Sequence, residues 1–424
     1  MLATDGDSLS ALYYPVSKAK MVRGEGVYLY DEEGVGYIDC ASATFNLSLG
    51  YSHPAVIAAM KAQVESLVHI TSSFQSDPIN ELARKLISHA PKNMTQVHPK
   101  VSGGSVANEG AIKMAQRATG KSDVITLFRS HLGQTMMMTS MSGNAFRRMP
   151  FPNLFPGSLQ VPDPYCYRCF YDKKPNNCGM ICVSRIDDFL EYASSGRVAA
   201  IVVEPISGNG GNVVPPDGYF QELRKLCDKN DIVLIFDEIQ TGIGRTGQMF
   251  AAQHFGVEPD VITTAKGLGG SGAQVAAIIT NKRLAGMPSS QHSFTYGSNL
   301  MAAAAANVTL DIISQPEFLA NVRATGDLIL LRLRDMQRRY RCIGDVRGVG
   351  LMIGFEIVKH DGSEDVKLTN VLADKAMEYG LILRTSRYGV GNVLKIRPPL
   401  ILTMQEANKI CDRLEELFAA EFRS

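Results

Sequence analysis

The segment Ile232–Gly272, IVLIFDEIQTGIGRTGQMFAAQHFGVEPDVITTAKGLGGSG, constrains this chain more than any other. It holds two short apolar, β-branched runs, Ile232–Phe236 and Val261–Thr264, each bounded by turn formers. Continuous runs of this length suit strands buried on both faces, as in a parallel sheet. The first run is followed at once by Asp237-Glu238, the second by Ala265 and Lys266. Ligands of open α/β sheets sit beyond the carboxyl ends of the strands. An acid and an amine are therefore expected at one rim of one sheet.

The rest of the chain supplies partners for these strands. Val124–Phe128, Val198–Pro205 and Ala276–Thr280 read as further strands. Helices are expected over 77–90, after the small-residue turn Ser102-Gly103-Gly104-Ser105 up to Gly120, over 219–229, over Leu300–Ile313 and over Phe318–Tyr340. The alternation predicts an α/β fold with a mostly parallel sheet covered on both faces. Residues 22–40 alternate around turn signals and read as a small meander. The Met-rich run 136–141 reads as core packing, and the Pro- and Cys-rich stretch 150–185 as irregular. Beyond residue 340 short strands and helices suggest a smaller α+β lobe. The expected domains are an N-terminal segment, 1–70, that joins the small lobe, a large domain, 71–325, and the small domain, 326–424.

Composition narrows the setting. A formal net charge of +1 gives no reason to expect nucleic acid or an anionic membrane as partner. No apolar run approaches the ~18 residues of a membrane span. Residues 1–16, MLATDGDSLSALYYPV, lack the basic and apolar regions of a secretory signal. Eight cysteines in 424 residues do not form a disulfide-scaffold pattern, so a reduced, cytoplasmic protein is expected.

The chemistry starts from Lys266. It closes a buried strand and is surrounded by Gly267, Gly269, Gly270 and Gly272. Desolvation lowers an amine's pKa and makes it a nucleophile. Asp237, at the neighbouring strand end, is placed to keep a ring nitrogen protonated. That pair is what pyridoxal 5'-phosphate requires. Gln240 is within reach of the ring's phenolic oxygen. The turn before the helix offers N–H groups and a hydroxyl to a phosphate. His131, just past a strand, offers a flat ring. Gly267-x-Gly269-x-x-Gly272 matches a dinucleotide fingerprint, but an apolar strand follows it where that motif requires a helix. Cys166-x-x-Cys169 and Cys178-x-x-x-Cys182 invite a zinc reading, yet the two couples stand closer together than zinc couples usually do. No metal ligands are assigned, and a zinc-bearing regulatory protein is the non-enzyme alternative.

Together these residues resemble the class III aminotransferases, fold-type I pyridoxal-phosphate enzymes that include ornithine, 4-aminobutyrate and other ω-amine transaminases. The likeness covers nearly the whole chain. Its most specific piece is Asp237-Glu238-Ile239-Gln240-Thr241-Gly242-Ile243-Gly244-Arg245-Thr246-Gly247 with Pro259-Asp260 and Ala265-Lys266-Gly267. Glu204-Pro205-Ile206-Ser207-Gly208, Thr295-Tyr296-Gly297-Ser298-Asn299 and Arg397-Pro398-Pro399-Leu400 add to it. The resemblance implies that Lys266 forms the Schiff base and shuttles the proton. It implies that Asp237 holds the pyridine nitrogen, Gln240 the phenolic oxygen, and Gly104 and Ser105 the phosphate. Glu204 would support the pocket from the sheet. Thr295 would reach the phosphate of a neighbouring subunit, in a homodimer with shared sites.

Three positions depart from the family's pattern, and they concern substrate. His131-Leu132-Gly133 stands where a larger aromatic followed by His-Gly is usual, so the ring there is smaller and able to titrate. Asn209 replaces a glutamate, and Lys395 stands where members that bind an α-carboxylate have arginine. Asn209 makes no ion pair and Lys395 lacks the bidentate fork. The expected reaction is transamination between an amine (an ω-amine, amino sugar or similar, not a plain α-amino acid) and a keto acid or aldehyde. An amine phospho-lyase on the same scaffold is the enzymatic alternative, since Val393-Leu394-Lys395 resembles a segment found among those enzymes.

Overall fold

The computed structural model describes residues 19–151 and 155–422. The whole of the segment screened for a secretory signal, residues 1–16, and the start of the expected N-terminal domain lie outside the described residues. Strands β1 (Met21–Glu25), β2 (Tyr28–Asp31) and β3 (Gly36–Asp39) form the expected antiparallel meander. The large sheet has seven strands: β4 (Gln96–Val101), β5 (Asp123–Leu127), β6 (Ser158–Val161), β7 (Val198–Val203), β8 (Val233–Asp237), β9 (Val261–Thr264) and β10 (Ala276–Thr280). Their order is β4-β10-β9-β8-β7-β5-β6. From β6 to β9 the pairing is parallel, and β10 runs antiparallel to both β9 and β4.

A third sheet begins with β11 (Ile343–Val349) and β12 (Met352–Ile357). Next, β13 (Leu381–Ile382) leaves that sheet to pair parallel with β3. Finally, β14 (Arg384–Thr385) and β15 (Val393–Ile396) complete it in the order β11-β12-β15-β14. The helix Pro316–Arg339 packs on β11 and on the helix Met404–Glu421. Gly326 of the first helix lies against the turn after β11: a Cβ there would lie 2.2 Å from the Gly350 carbonyl oxygen.

The inner strands explain why the sheet is legible. Every residue of β7, β8, β9 and β10 is buried. Successive side chains alternate between two cores. Ile201, Val203, Leu234, Phe236 and Ile262 face one; Ala200, Val202, Val233, Ile235 and Val261 face the other. Fully burying each Val, Leu, Ile or Phe side chain among them contributes about 1.5–3 kcal/mol.

Two strands escape the sequence reading, β4 and β6, and both are sheet edges. Edge strands are half exposed and need no apolar run. QVHPKV even carries Pro99, which an edge tolerates because one side of the strand needs no donor. The stretch 150–185 is therefore not wholly irregular: SLQV within it pairs with β5. The Met run forms a helix, Met136–Met141, that buries Met138 and Met141 but leaves Met136 exposed. No helix among the described residues is long and apolar enough to cross a membrane.

Candidate active site

Asp237 is the last residue of β8 and lies opposite Thr263 of β9, three residues before Lys266. The two strand ends meet at one cavity of about 980 Å³. It is lined by Gly104, Ser105, His131, Asn209, Asp237, Gln240 and Lys266, and by Lys395 of β15. Two expected site residues do not line it. Glu204 sits behind the wall, and Thr295 lies exposed on the loop before the helix Leu300–Ile313.

Lys266 adopts φ +39°, the left-handed region that a non-glycine residue enters only at a cost of about 1–3 kcal/mol. The surrounding structure holds it there. Ser48 Oγ donates to the Gly267 carbonyl at 2.5 Å, and the Leu49 N–H donates to the Gly270 carbonyl at 3.0 Å. Burial pushes the Lys266 amine below its ordinary pKa, and the Arg397 charge pushes the same way against Asp237 and Glu204.

Asp237 is pinned rather than free. Its Oδ2 accepts from Asn108 Nδ2 at 2.7 Å and its Oδ1 from the Ile239 N–H at 3.0 Å. Asn108, one turn into the helix Gly104–Thr119, also donates to the Leu132 carbonyl and accepts from Thr263 Oγ1, both at 2.7 Å. It is fully buried and was missed by sequence reasoning. The signal for it is a lone amide in the small-residue face ANEGA, where a helix interior normally presents apolar groups. Burial pushes Asp237 up to about 6, against its hydrogen bonds and Lys266. Glu238 turns the opposite way: its carboxylate accepts the Ala251 and Ala252 N–H groups and holds the start of the helix Ala251–Phe255. Of the adjacent acids, only Asp237 faces the cavity.

Glu204 accepts the His131 N–H at 2.9 Å and the Gly208 N–H at 3.1 Å. Burial and the nearby Asp237 push it up to about 8. The His131 ring is held neutral: burial, with Arg147, Lys266 and Lys395 around it, pushes it down to about 3. At the phosphate end, Gly133 (φ +150°) leaves room for Ser105, whose Oγ would lie 2.4 Å from a Cβ at position 133. Asn209 and Lys395 are both buried at the cavity wall, and no ion pair involves Lys395 among the described residues. Among the described residues, no group of three or more His, Cys, Asp or Glu could hold a metal ion.

The donor set fits pyridoxal phosphate. A buried carboxylate with no salt-bridge partner among the described residues faces the cavity, a half-buried amine shares the same rim, and the N-terminus of a sixteen-residue helix opens onto it. His131 lines the cavity, and its Nδ1 is buried without a hydrogen-bond partner among the described residues. Fold and cavity define a fold-type I pyridoxal-phosphate enzyme. The model of the family Aminotransferase class-III matches residues 12–418, and the chain belongs to that family. An alanine/serine racemase of Pyrococcus horikoshii is 36% identical, over 93% of this chain and 84% of that protein. An acetylornithine aminotransferase of Methanothermobacter thermautotrophicus is 35% identical, over 92% and 91%. Among solved structures, an amine transaminase from an uncultivated Pseudomonas species, in its pyridoxal-phosphate-bound form, superposes with a TM-score of 0.90 at 29% identity, covering 97% of this chain and 99% of that one.

Proposed function

We propose that this enzyme transfers an amino group from an amine lacking an α-carboxylate to a keto acid or aldehyde. The observation that carries the transfer is Lys266 Nζ at the cavity wall, beside a strand end that presents Asp237. Bound pyridoxal phosphate supplies an electron sink for charge developing on the substrate carbon. The residues do the remainder. Asp237, fixed by Asn108 and Ile239, holds a proton on the pyridine nitrogen. Gly104 and Ser105 hold the phosphate, Gln240 donates to the phenolic oxygen, and His131 covers the ring face. Lys266, desolvated and so partly neutral, takes the substrate proton at Nζ and returns it.

The substrate reading rests on Asn209 and Lys395, both buried at the wall and neither able to grip a carboxylate bidentately. The test is a substrate panel followed at the cofactor's visible absorbance. ω-Amines and amino sugars are expected to convert faster than α-amino acids, with turnover dependent on an added keto acid. Conversion of α-amino acids alone would overturn the substrate reading. The racemase relative favours a second reading, proton exchange on an α-amino acid with no acceptor needed. Loss of optical rotation in the absence of keto acid would establish it. Release of phosphate from a phosphorylated amine without an acceptor would instead mark a lyase.

The cytoplasmic homodimer is part of the same proposal. Leu67, Val68, Phe74 and Tyr296 are exposed apolar residues, and the segment bearing the first three lies against the loop of Thr295: Leu300 N donates to the Val68 carbonyl, and the His69 and Tyr296 rings are 5.9 Å apart. An apolar surface of this kind marks an interface. Sedimentation at micromolar concentration is expected to give a dimer. A monomer with full activity would remove Thr295 from the site.

A further inference from the structure

Gln240 is held in one orientation of its amide. Its Oε1 accepts from Arg397 Nη1 at 2.7 Å, and its Nε2 points toward Glu204 Oε2 at 3.5 Å. An amide carries two N–H hydrogens. With Glu204 on one side, the other is left for the cavity that Gln240 lines. The contact to Glu204 is long and weak alone. Arg397, which can only donate, decides which end of the amide faces it.

Arg397 is an unusual group to bury. It is 1% exposed, and no salt bridge involves it among the described residues. Its Nε and Nη2 are buried without hydrogen-bond partners among the described residues, so they offer no accessible donor to a substrate anion. Its guanidinium lies 3.2 Å from the centre of the Phe45 ring. Burying an unpaired cation costs several kcal/mol before compensation. The fold nonetheless builds a seat for it. Ser42, Ala43 and Phe45 all take left-handed φ values, +47°, +55° and +69°, in the segment that presents Phe45. The Arg397 backbone is tied to that segment by its N–H to the Cys40 carbonyl and by Ser42 Oγ to its carbonyl, both at 2.7 Å. Glycine would take these φ values freely, so the strain is retained where Arg397 is seated.

We propose that Arg397 is a positioning residue for the cofactor: it fixes the Gln240 amide with an N–H toward the phenolic oxygen and sets a positive charge one amide away from that oxygen. The proposal rests on the assignment of pyridoxal phosphate and Gln240 above. It gives position 397, until now only part of a matching segment, a role separate from that of Lys395. Arg397 follows β15 directly, two positions after Lys395. The other charges around Arg397 are Glu204 after β7, Arg245 after β8, Lys266 after β9, Arg384 in β14 and Lys395 in β15, with the Tyr388 phenol also near.

The test is a spectrophotometric pH titration of the purified holoenzyme. A cation near the phenolic oxygen disfavours protonation of the lysine-bound cofactor, so Arg397→Met is expected to raise the pKa of the visible band by about 1–2 units. Arg397→Lys, which keeps the charge, should shift it less. Gln240→Leu should also raise it, and the double variant should shift it by less than the sum of the two single changes, because the orienting part of Arg397's effect acts through Gln240 while its charge acts directly. Cofactor retained in Arg397→Met with the pKa unmoved would overturn the proposal, since a merely structural arginine changes stability but not the band. Should Arg397→Met fail to fold, Arg397→Gln against Arg397→Lys decides it: a larger shift for the neutral variant supports the role, and equal titrations refute it. A parent protein with no visible band at all would instead be a failure of the cofactor assignment.

Discussion

Lys266→Ala is expected to lower turnover at least about 10³-fold, toward the upper end of what one positioned proton-transfer group contributes. The expectation follows from how few other groups can act there. Of the cavity's nitrogen bases, His131 is neutral but buried, its side-chain Nδ1 without a partner and its backbone N–H bound to Glu204. Lys395 lines the cavity from β15, in a different sheet from β8 and β9, and Arg397 is an obligate donor engaged with Gln240. Burial lowers the pKa of Lys395 as well as that of Lys266, the condition that gives an amine a neutral fraction near pH 7, but among the described residues lining the cavity Lys266 is the amine that follows the strand paired with the end bearing Asp237. Alanine leaves the walls in place, so the apo protein should fold. A lysine whose folded pKa lies below its unfolded one opposes folding at neutral pH, so Lys266→Ala should melt no lower than the parent. The checks are steady-state rate, the visible band, which should lose its lysine-bound form, and a thermal melt of the apo protein. Turnover within about tenfold of the parent would place the chemistry on another residue.

The constant half of this site was legible because it is local. Asp237 and Lys266 are fixed by the strands that precede them, and an apolar run ending in a charge shows in the sequence itself. The helix of Gly104 and Ser105 is announced by its own glycines. What was not legible depends on groups far apart in the chain. Asn108 reaches Asp237 across 129 residues, and Arg397 reaches Gln240 across 157. No periodicity encodes either contact; each exists because a helix or a C-terminal strand docks on the sheet rim. The same holds for His131. Its position after a strand was readable, but its depression to about 3 comes from burial among Arg147, Lys266 and Lys395, which only the folded chain assembles. Edge strands were lost for a different reason: β4 and β6 need no apolar signature to pair along one side.

Asp237→Asn carries the second large effect, and it separates catalysis from stability by sign. Turnover is expected to fall about 10²–10³-fold, the scale on which a preorganised electrostatic partner matters, because an amide beside the pyridine nitrogen no longer holds a proton there. Stability moves differently. In the folded apo protein burial pushes the Asp237 carboxyl up to about 6, above the ~3.9 of an unfolded chain. A carboxyl raised on folding opposes the folded state once ionised: the penalty is full above about pH 6 and is relieved as the pH falls toward 4. Asparagine removes the penalty but also loses a hydrogen bond. Asp237 accepts from both Asn108 Nδ2 and the Ile239 N–H, whereas an amide has one accepting oxygen for two donors. That loss does not depend on pH. The difference in apo unfolding free energy, Asp237→Asn minus parent, should therefore climb in the variant's favour between pH 4 and pH 7, whatever its absolute sign. Denaturant melts of both apo proteins across that range measure it, and a difference flat in pH would show that Asp237 is not the buried, uncompensated acid described above. In the holo protein the climb should shrink, because a protonated ring nitrogen opposite Asp237 replaces the missing counter-charge and draws its pKa back down.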